Sequence, residues 1–261
     1  MDFFIDEILE NEEIKALLKS DAKSAEKGRE IAGEIIKKHS CVSVEPGLMQ
    51  LFVLAHLADY AMETNGSRGI PREITVASLK DVNIWIGNYM TQYGRMGTAR
   101  LGWLCHHYLG DLFRLGRLQF QLGRAEEGVL SGEYVLETHI PQGEPLGTDA
   151  CLESFRMAAG FFEKYFPGQK AEYCVCCSWL LCPELVNVAG ENSNIVKFMR
   201  LWTQLPHGGD DSAQAVQRVF GFGFDRADLA NAPEKTSLQR NLKKYLLGGG
   251  KIEISAGYRK L

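Results

Sequence analysis

The sequence has few of the features that mark secreted, membrane-bound or nucleic-acid-binding proteins. It has no excess of positive charge, since 33 acidic residues against 29 basic ones give a formal net charge of -4. Such a chain is not suited to coating nucleic acid or an anionic membrane, and we expect neither as a partner. The N-terminal MDFFIDEILENEE lacks the basic start and apolar run of a secretory signal. Apolar stretches such as residues 48–55 stop well short of the ~20 residues that span a bilayer.

Cysteines are not spaced as a zinc site or a disulfide framework requires. Their number, seven, is odd, which favours reduced thiols in a cytoplasmic protein. In the run CVCC, Cys174 and Cys176 share one face of a predicted strand while Cys177 lies on the other, a poor geometry for chelation. The adjacent His106 and His107 lie on different sides of a predicted helix. We therefore expect structural thiols and no bound metal.

Nucleophile and nucleotide motifs are also missing. Ser178 lacks the G-x-S-x-G elbow of a serine hydrolase, and residues 248–250 (GGG) lack the lysine–serine pattern of a phosphate-binding loop. The segment that contains His207, Asp210 and Asp211 is interpreted as a lid, a weak ion site or, most simply, a surface turn.

The first hundred residues show helical spacing of apolar side chains. Phe4, Ile8, Ile14 and Leu18 form one stripe, and further helices are predicted over about residues 46–62, 75–94 and 98–108. Thr75 is expected to cap the second of these, and Gly94 to end it. We predict a helical N-terminal domain over residues 1–110.

From residue 111 onward the period changes, and strands alternate with helices. Strands are predicted at residues 115–122, 129–140, 172–179, 215–222 and 251–258, and helices at 148–165, 194–202 and 237–247. Thr148 is expected to cap the first of these helices. This order predicts an α+β or α/β domain over residues 111–261, with a mixed sheet flanked by helices.

Four stretches carry a resemblance to a known family. GWLCHHYLGDLFRLGRLQFQ, ETHIPQGEPL, SWLLCPEL and NSNIVKF occur in that order between residues 102 and 198. Together they resemble a bacterial family of acyltransferase domain-containing proteins, which join a helical N-terminal domain to a GNAT-like C-terminal domain. The resemblance implies an acyl-coenzyme A donor whose pyrophosphate lies on a loop and a helix N-terminus that follow a central strand.

The implied cofactor site falls on the loop after residue 140. The strand, the loop of residues 142–147 and the following helix occupy the corresponding place, and unpaired N–H groups at a helix start bind anions. The resemblance therefore assigns cofactor binding to Gln142, Gly143, Gly147 and Thr148.

The same loop departs from the family pattern. Pro145 removes one N–H donor, and Glu144 and Asp149 place negative charge beside the expected phosphates. Asp149 stabilises a helix dipole without any ligand, so a tight loop before a capped helix is the alternative interpretation. Backbone amides that converge on an open groove would favour an enzyme, and a loop closed by side chains would favour a non-catalytic protein.

Two residues on the preceding strand are candidates for acid–base work. Glu137 and His139 lie two apart, which places them on one face about 7 Å apart. Either side chain is able to deprotonate an amine nucleophile, and the simpler alternative is that both face solvent. We predict an acyl-CoA-dependent acyltransferase of the GNAT type that acylates a small amine. The alternative is a GNAT-shaped binding or interaction module without catalysis, which the acidic loop favours.

Overall fold

The computed structural model describes residues 1–126, 128–206 and 208–261. The chain divides into two compact units, Met1–Leu115 and Gly116–Leu261. In the described residues, no helix has the length and apolar character that a membrane span requires.

The first unit is helical, as predicted. A π-helical turn at Phe4–Ile8 precedes the helices, and the described part of the unit ends in a short strand. The elements are α1 (Glu12–Ser20), α2 (Ala22–Lys38), α3 (Leu48–Ser67), α4 (Arg72–Leu79), α5 (Asp81–Tyr93), α6 (Leu101–Tyr108) and β1 (Leu112–Leu115).

Helix α3 is the centre of this unit because it is apolar on nearly all sides. Its residues Leu51 to Ala55 are all buried, which is the pattern of a helix surrounded by others. Gly28 of α2 permits close approach, since a Cβ at that position would lie 2.8 Å from the Cβ of Phe52. Phe52 belongs to the apolar core of this unit.

The helix predicted over residues 75–94 is wrong in one respect, because it is two helices. Thr75 is buried inside α4 and is not a cap, whereas Gly94 ends α5 in the left-handed conformation as predicted. The break places Asp81 at the start of α5, where its Oδ2 accepts hydrogen bonds from the indole N–H groups of Trp85 (2.8 Å) and Trp103 (3.0 Å). Trp103 belongs to α6, so a tertiary contact stabilises a break that local spacing does not reveal.

The second unit contains a mixed sheet flanked by helices, which confirms the predicted fold class. Its described elements are β2 (Leu118–Arg124), β3 (Tyr134–His139), α7 (Thr148–Tyr165), β4 (Tyr173–Ser178), α8 (Leu185–Ala189), α9 (Asn194–Met199), β5 (Thr203–Gln204), α10 (Ser212–Phe220), α11 (Ser237–Leu247) and β6 (Ser255–Lys260). These strands lie in the order β2-β3-β4-β6-β5. The β3–β4 pair is parallel, and the other pairs are antiparallel.

Several predicted strands needed correction. The strand expected at residues 215–222 is the helix α10, whose buried Ala215, Val216 and Phe220 follow a helical spacing of one and four. The strand expected at 115–122 is interrupted by Gly116, whose positive φ of 68° turns the chain between β1 and β2. The last strand, β6, begins at Ser255 and not at residue 251.

Candidate functional site

The parallel pairing of β3 with β4 is short, and this opens the sheet. The register joins Val135 to Tyr173, Leu136 to Cys174 and Glu137 to Val175. Beyond those pairs β3 continues beside β2, and β4 continues to Ser178 beside β6. The two strands therefore diverge over residues 138–139 and 176–178, and we call this region the β3–β4 gap. The β3–β4 pairing does not extend into this region, so the two strands do not close the sheet here.

The predicted acid–base residues border this gap unequally. Glu137 and His139 share one face of β3, and extending the register by two residues would place His139 opposite Cys177. The Glu137 carboxylate leans the other way, since a Cβ at Gly123 of β2 would lie 2.7 Å from its Oε1. His139 therefore borders the gap, while the carboxylate of Glu137 lies over the neighbouring strand.

The cysteines of β4 have the expected alternation. Cys174 and Cys176 are buried and Cys177 is exposed. Burial raises the pKa of the Cys174 thiol to about 12. Partial shielding of the Cys177 thiol from solvent, together with the nearby Asp211 carboxylate, raises the pKa of Cys177 as well. Within the described ranges no three His, Cys, Asp or Glu side chains are grouped to hold a metal. The expectation of a metal-free protein stays a prediction.

Ser178 has a structural partner. Its Oγ accepts a hydrogen bond from the Leu180 N–H (3.1 Å) and so caps the short 3-10 helix Trp179–Leu181. The hydroxyl is thus part of a local turn at the end of β4, which agrees with the absence of a nucleophile elbow in the sequence.

The loop after β3 is organised by a residue that the sequence did not single out. The guanidinium of the buried Arg117 donates from Nε to the carbonyl oxygens of Glu144 (2.9 Å) and Pro145 (3.2 Å), and from Nη1 to that of Pro141 (3.0 Å). The N–H of Arg117 donates to Ser154 Oγ of α7 (2.8 Å), which positions its backbone. Since 24 or more residues separate Arg117 from the loop, local sequence patterns gave no signal for this contact.

The N-terminus of α7 has no side-chain cap. Gly147 is the N-cap residue, so Thr148 is the first helical residue and the predicted Thr148 cap is wrong. The first helical backbone bond runs from Cys151 N to Gly147 O, which leaves the N–H groups of residues 148–150 without partners in the described structure. Arg117 thus holds the loop carbonyls inward, while the helix amides remain available for an anion.

The acidic side chains lie beside these amides. Glu144 and Asp149 are both exposed, and Asp149 is in the first turn of α7. Gly143 has a positive φ of 128°, whereas Gly147 has ordinary extended geometry with φ -62° and ψ 134°. The loop therefore combines an open amide surface, which favours the enzyme, with the negative charge that favours the alternative.

The remaining histidine and aspartate candidates belong to neither β3 nor β4, the strands that border the gap. His207 lies outside the described residues. Asp210 pairs with Arg226 (3.1 Å), as in a surface turn. In the first unit, His107 is buried, and its Nε2 lies 3.7 Å from Oδ2 of Asp81 in the polar cluster around the two tryptophans.

Models of two protein families match the chain, one over most of each unit. A model of the "N-acyltransferase N-terminal domain" matches residues 4–110, and a model of the "GNAT-like C-terminal domain" matches residues 112–259. No curated protein matches the chain.

The chain is also similar to solved structures of acyltransferases. One of them is an acyltransferase in complex with CoA and 10C-teicoplanin, with 28% identity and a TM-score of 0.76. The match covers 82% of this chain and 66% of the acyltransferase, so this chain spans just under two thirds of that protein's length. Another is an acyltransferase in complex with decanoyl-CoA and teicoplanin, with 26% identity and a TM-score of 0.78 over 95% and 78% of the two chains. A mutant acyltransferase in complex with octanoyl-CoA shares the fold at 24% identity, with a TM-score of 0.84 over 99% and 86%.

Proposed function

Because the chain belongs to the N-acyltransferase family with a GNAT-like C-terminal domain, as its four sequence stretches predicted, we propose that it transfers an acyl group from coenzyme A to an amine. The observation that carries this proposal is the β3–β4 gap, together with the uncapped helix N-terminus that follows β3. A thioester in the gap and a pyrophosphate on the helix would be held by one continuous stretch of chain.

The cofactor would be held mainly by backbone groups. The N–H groups of Gly147 and Thr148 would meet the pyrophosphate, since a helix N-terminus combines free donors with the positive end of the dipole. Gln142 and Gly143 would contact the same group from the loop. Arg117 would act indirectly, because it fixes the loop carbonyls away from the ligand.

The chemistry needs a positioned base and a polarised carbonyl. His139 borders the gap and would take a proton from the acceptor's ammonium group, so that the neutral amine can attack, with Glu137 as a second acid–base group on the same face. The amine nitrogen forms a bond to the thioester carbonyl carbon, the C–S bond breaks, and the released thiolate takes up a proton. Backbone N–H groups at the gap would stabilise the negative oxygen that develops. The products are an amide and free coenzyme A.

The acceptor would be a small molecule with a free amine. Two of the similar acyltransferases were solved in complex with teicoplanin or 10C-teicoplanin, which supports a small-molecule acceptor for this chain. The free thiols of the described structure suit a cytoplasmic location for this reaction.

The proposal is tested by cofactor binding and by turnover. Free coenzyme A and its acetyl and decanoyl thioesters are each expected to raise the melting temperature, with about 2.7 kcal/mol of added stability at a ligand concentration 100 times the Kd. His139→Gln is expected to lower kcat for amine acylation by about 10²-fold or more while free coenzyme A still binds. The matched variant Glu137→Gln is expected to lower kcat less, because its carboxylate leans away from the gap.

A non-catalytic module remains the second candidate, since the exposed Glu144 and Asp149 flank the helix N-terminus. Ligand-dependent stabilisation without acyl transfer to any of a panel of amines would favour the module. Absence of a melting shift with every coenzyme A ligand would contradict the acyltransferase proposal.

A further inference from the structure

Among the described residues, an arginine on the sheet has an aromatic ring beside its cation but no carboxylate. Arg259 of β6 lies opposite Cys174 of β4, and its Cζ stacks 4.0 Å from the ring centroid of Phe155 on α7. Its Nε is buried without a hydrogen-bond partner, and the described residues offer the rest of the guanidinium no hydrogen bond or ion pair. Burial lowers the pKa of Arg259, and the groups that oppose this effect are the thiols of Cys174 and Cys151. No carboxylate of the described structure balances the cation.

A second unpaired donor lies against the same phenyl ring. The indole of Trp202 packs edge-on against Phe155, with ring centroids 5.5 Å apart, and its Nε1 is buried without a hydrogen-bond partner. Trp202 is 5% exposed. A Cβ at Gly257 would lie 2.9 Å from the Cβ of Trp202, and Gly257 precedes Arg259 by two residues on the same face of β6, about 7 Å along the strand. Arg259 and Trp202 thus both contact the Phe155 ring, on the face of the sheet that carries Gly257.

Arg259 and Trp202 lie on one face of the sheet, and His139 lies on the opposite face. The β3–β4 gap connects the two faces. Thr138 and Cys176 border the gap on the face of Arg259, and Cys176 is paired with Gly257, the residue beneath Trp202. Arg259 lies two residues further along β6. A group that passes through the gap toward this face would meet Trp202 first and Arg259 next.

Arg259 is half-buried, but its Nε–H and the indole N–H are buried without acceptors, which is unfavourable, and a ligand that supplies a negatively charged acceptor would remove that cost. A carboxylate fits best, because guanidinium groups bind its two oxygens with matched geometry. A purely aliphatic chain, by contrast, would leave both donors unpaired.

We propose that Arg259 and Trp202 bind a carboxylate at the far end of the acyl group, so that the preferred donor is the coenzyme A thioester of a short dicarboxylic acid. This inference rests on the proposed acyltransferase function and assigns its donor class. Arg259 and Trp202 would determine specificity and take no part in the acyl-transfer step.

The test compares two donors of similar size that differ in charge, succinyl-CoA and valeryl-CoA, with free coenzyme A as the reference. Calorimetric titration of the intact protein is expected to show that succinyl-CoA binds about tenfold or more tightly than valeryl-CoA, as expected for a hydrogen bond to a charged group. Arg259→Met is expected to abolish the preference and leave the affinity for free coenzyme A unchanged. Arg156→Met, which removes an exposed arginine of α7 paired with Glu153, is expected to retain the preference.

The outcomes separate the two proposals. Equal or tighter binding of valeryl-CoA by the wild-type protein, with coenzyme A still bound, overturns the donor class and leaves the acyltransferase proposal standing. Failure of all three ligands to bind overturns both. If Arg259→Met does not fold, Trp202→Phe keeps an aromatic ring and removes the N–H, and a severalfold loss of the preference is then expected. An unchanged preference in Trp202→Phe would contradict the assigned role of the indole.

Discussion

At Asp149, stability and cofactor binding are expected to oppose each other. Its exposed carboxylate lies in the first turn of α7, where it stabilises the helix dipole and repels a phosphate. Asp149→Asn is therefore expected to lower the free energy of unfolding by about 0.3–1 kcal/mol and to tighten the binding of free coenzyme A about two- to fivefold. Denaturant unfolding and calorimetric titration measure the two effects.

The matched control for Asp149 is on the same helix. Glu163 is also exposed but lies in the last turn of α7, so Glu163→Gln is expected to leave coenzyme A affinity unchanged. If both variants tighten binding equally, the effect comes from net charge and not from the helix N-terminus, and the proposed pyrophosphate position is wrong.

The two loop glycines are predicted to respond differently to a side chain. Gly147 has φ -62°, and a Cβ there would have no neighbour within 4 Å, so Gly147→Val is expected to change stability by less than about 0.5 kcal/mol. The new side chain would stand beside the helix amides and weaken coenzyme A binding. Gly143→Val forces a branched residue into φ 128° and is expected to cost about 1–3 kcal/mol. A Gly147→Val variant that binds coenzyme A like the wild type would place the ligand elsewhere.

Among the elements, the loop of residues 141–147 depends on a side chain from outside it. Arg117→Met removes the donors to the carbonyls of Pro141, Glu144 and Pro145 and is expected to lower the free energy of unfolding by about 2–4 kcal/mol. Coenzyme A binding is expected to weaken as well, because the loop loses its conformation. Melting curves with and without ligand measure both changes.

Two further variants isolate the role of the Arg117 guanidinium, which donates to the loop carbonyls from two nitrogens. Arg200→Met removes an exposed arginine paired with Glu191 and is expected to cost less than about 1 kcal/mol. Arg117→Lys keeps the charge without the planar donor geometry and is expected to be intermediate. Wild-type coenzyme A affinity in Arg117→Met would show that the loop conformation is irrelevant to binding.

Elements with strong local signals were predictable, and those that depend on partners were not. Helix α7 was predicted with its observed bounds, since its periodic aromatic residues end at a Pro-Gly stop, and α11 likewise begins after the capping residue Thr236. Helix α10 was mistaken for a strand because Val216, Val219 and Phe220 have high strand propensity, which packing overrode. Strand β5 has two residues and forms by pairing with β6, so no pattern announces it.

For the candidate site, the sequence predicted the shared face of Glu137 and His139 but not their orientation. The lean of Glu137 toward Gly123 depends on the register between β2 and β3, which a period of two does not specify. The contacts of Arg117, and those of Arg259 and Trp202 in the proposed donor site, were missed for a similar reason, since each joins residues distant in the chain. Long-range contacts of this kind carry no spacing signal.

For the molecule as a whole, the buried thiols predict how stability changes in alkali. Burial raises the pKa of Cys174 from 9.0 to about 12, and burial with the Glu184 contact raises that of Cys182 from 9.0 to about 11. A raised pKa means that the folded state holds its proton more strongly than the unfolded state. The resulting stability is complete below about pH 9 and is lost as the pH rises toward 11 or 12.

The Cys174 variant tests this dependence on pH. Cys174→Ala is expected to cost about 1 kcal/mol at pH 7, because a small buried side chain is lost. Between pH 9 and 11 its stability is expected to fall less steeply than that of the wild type, since each such group contributes at most about 1.4 kcal/mol per pH unit. Chemical denaturation at pH 7, 9, 10 and 11 measures the slopes of both proteins. Parallel curves would mean that the Cys174 thiol titrates alike in the folded and unfolded chains, and the buried environment assigned to β4 would then be wrong.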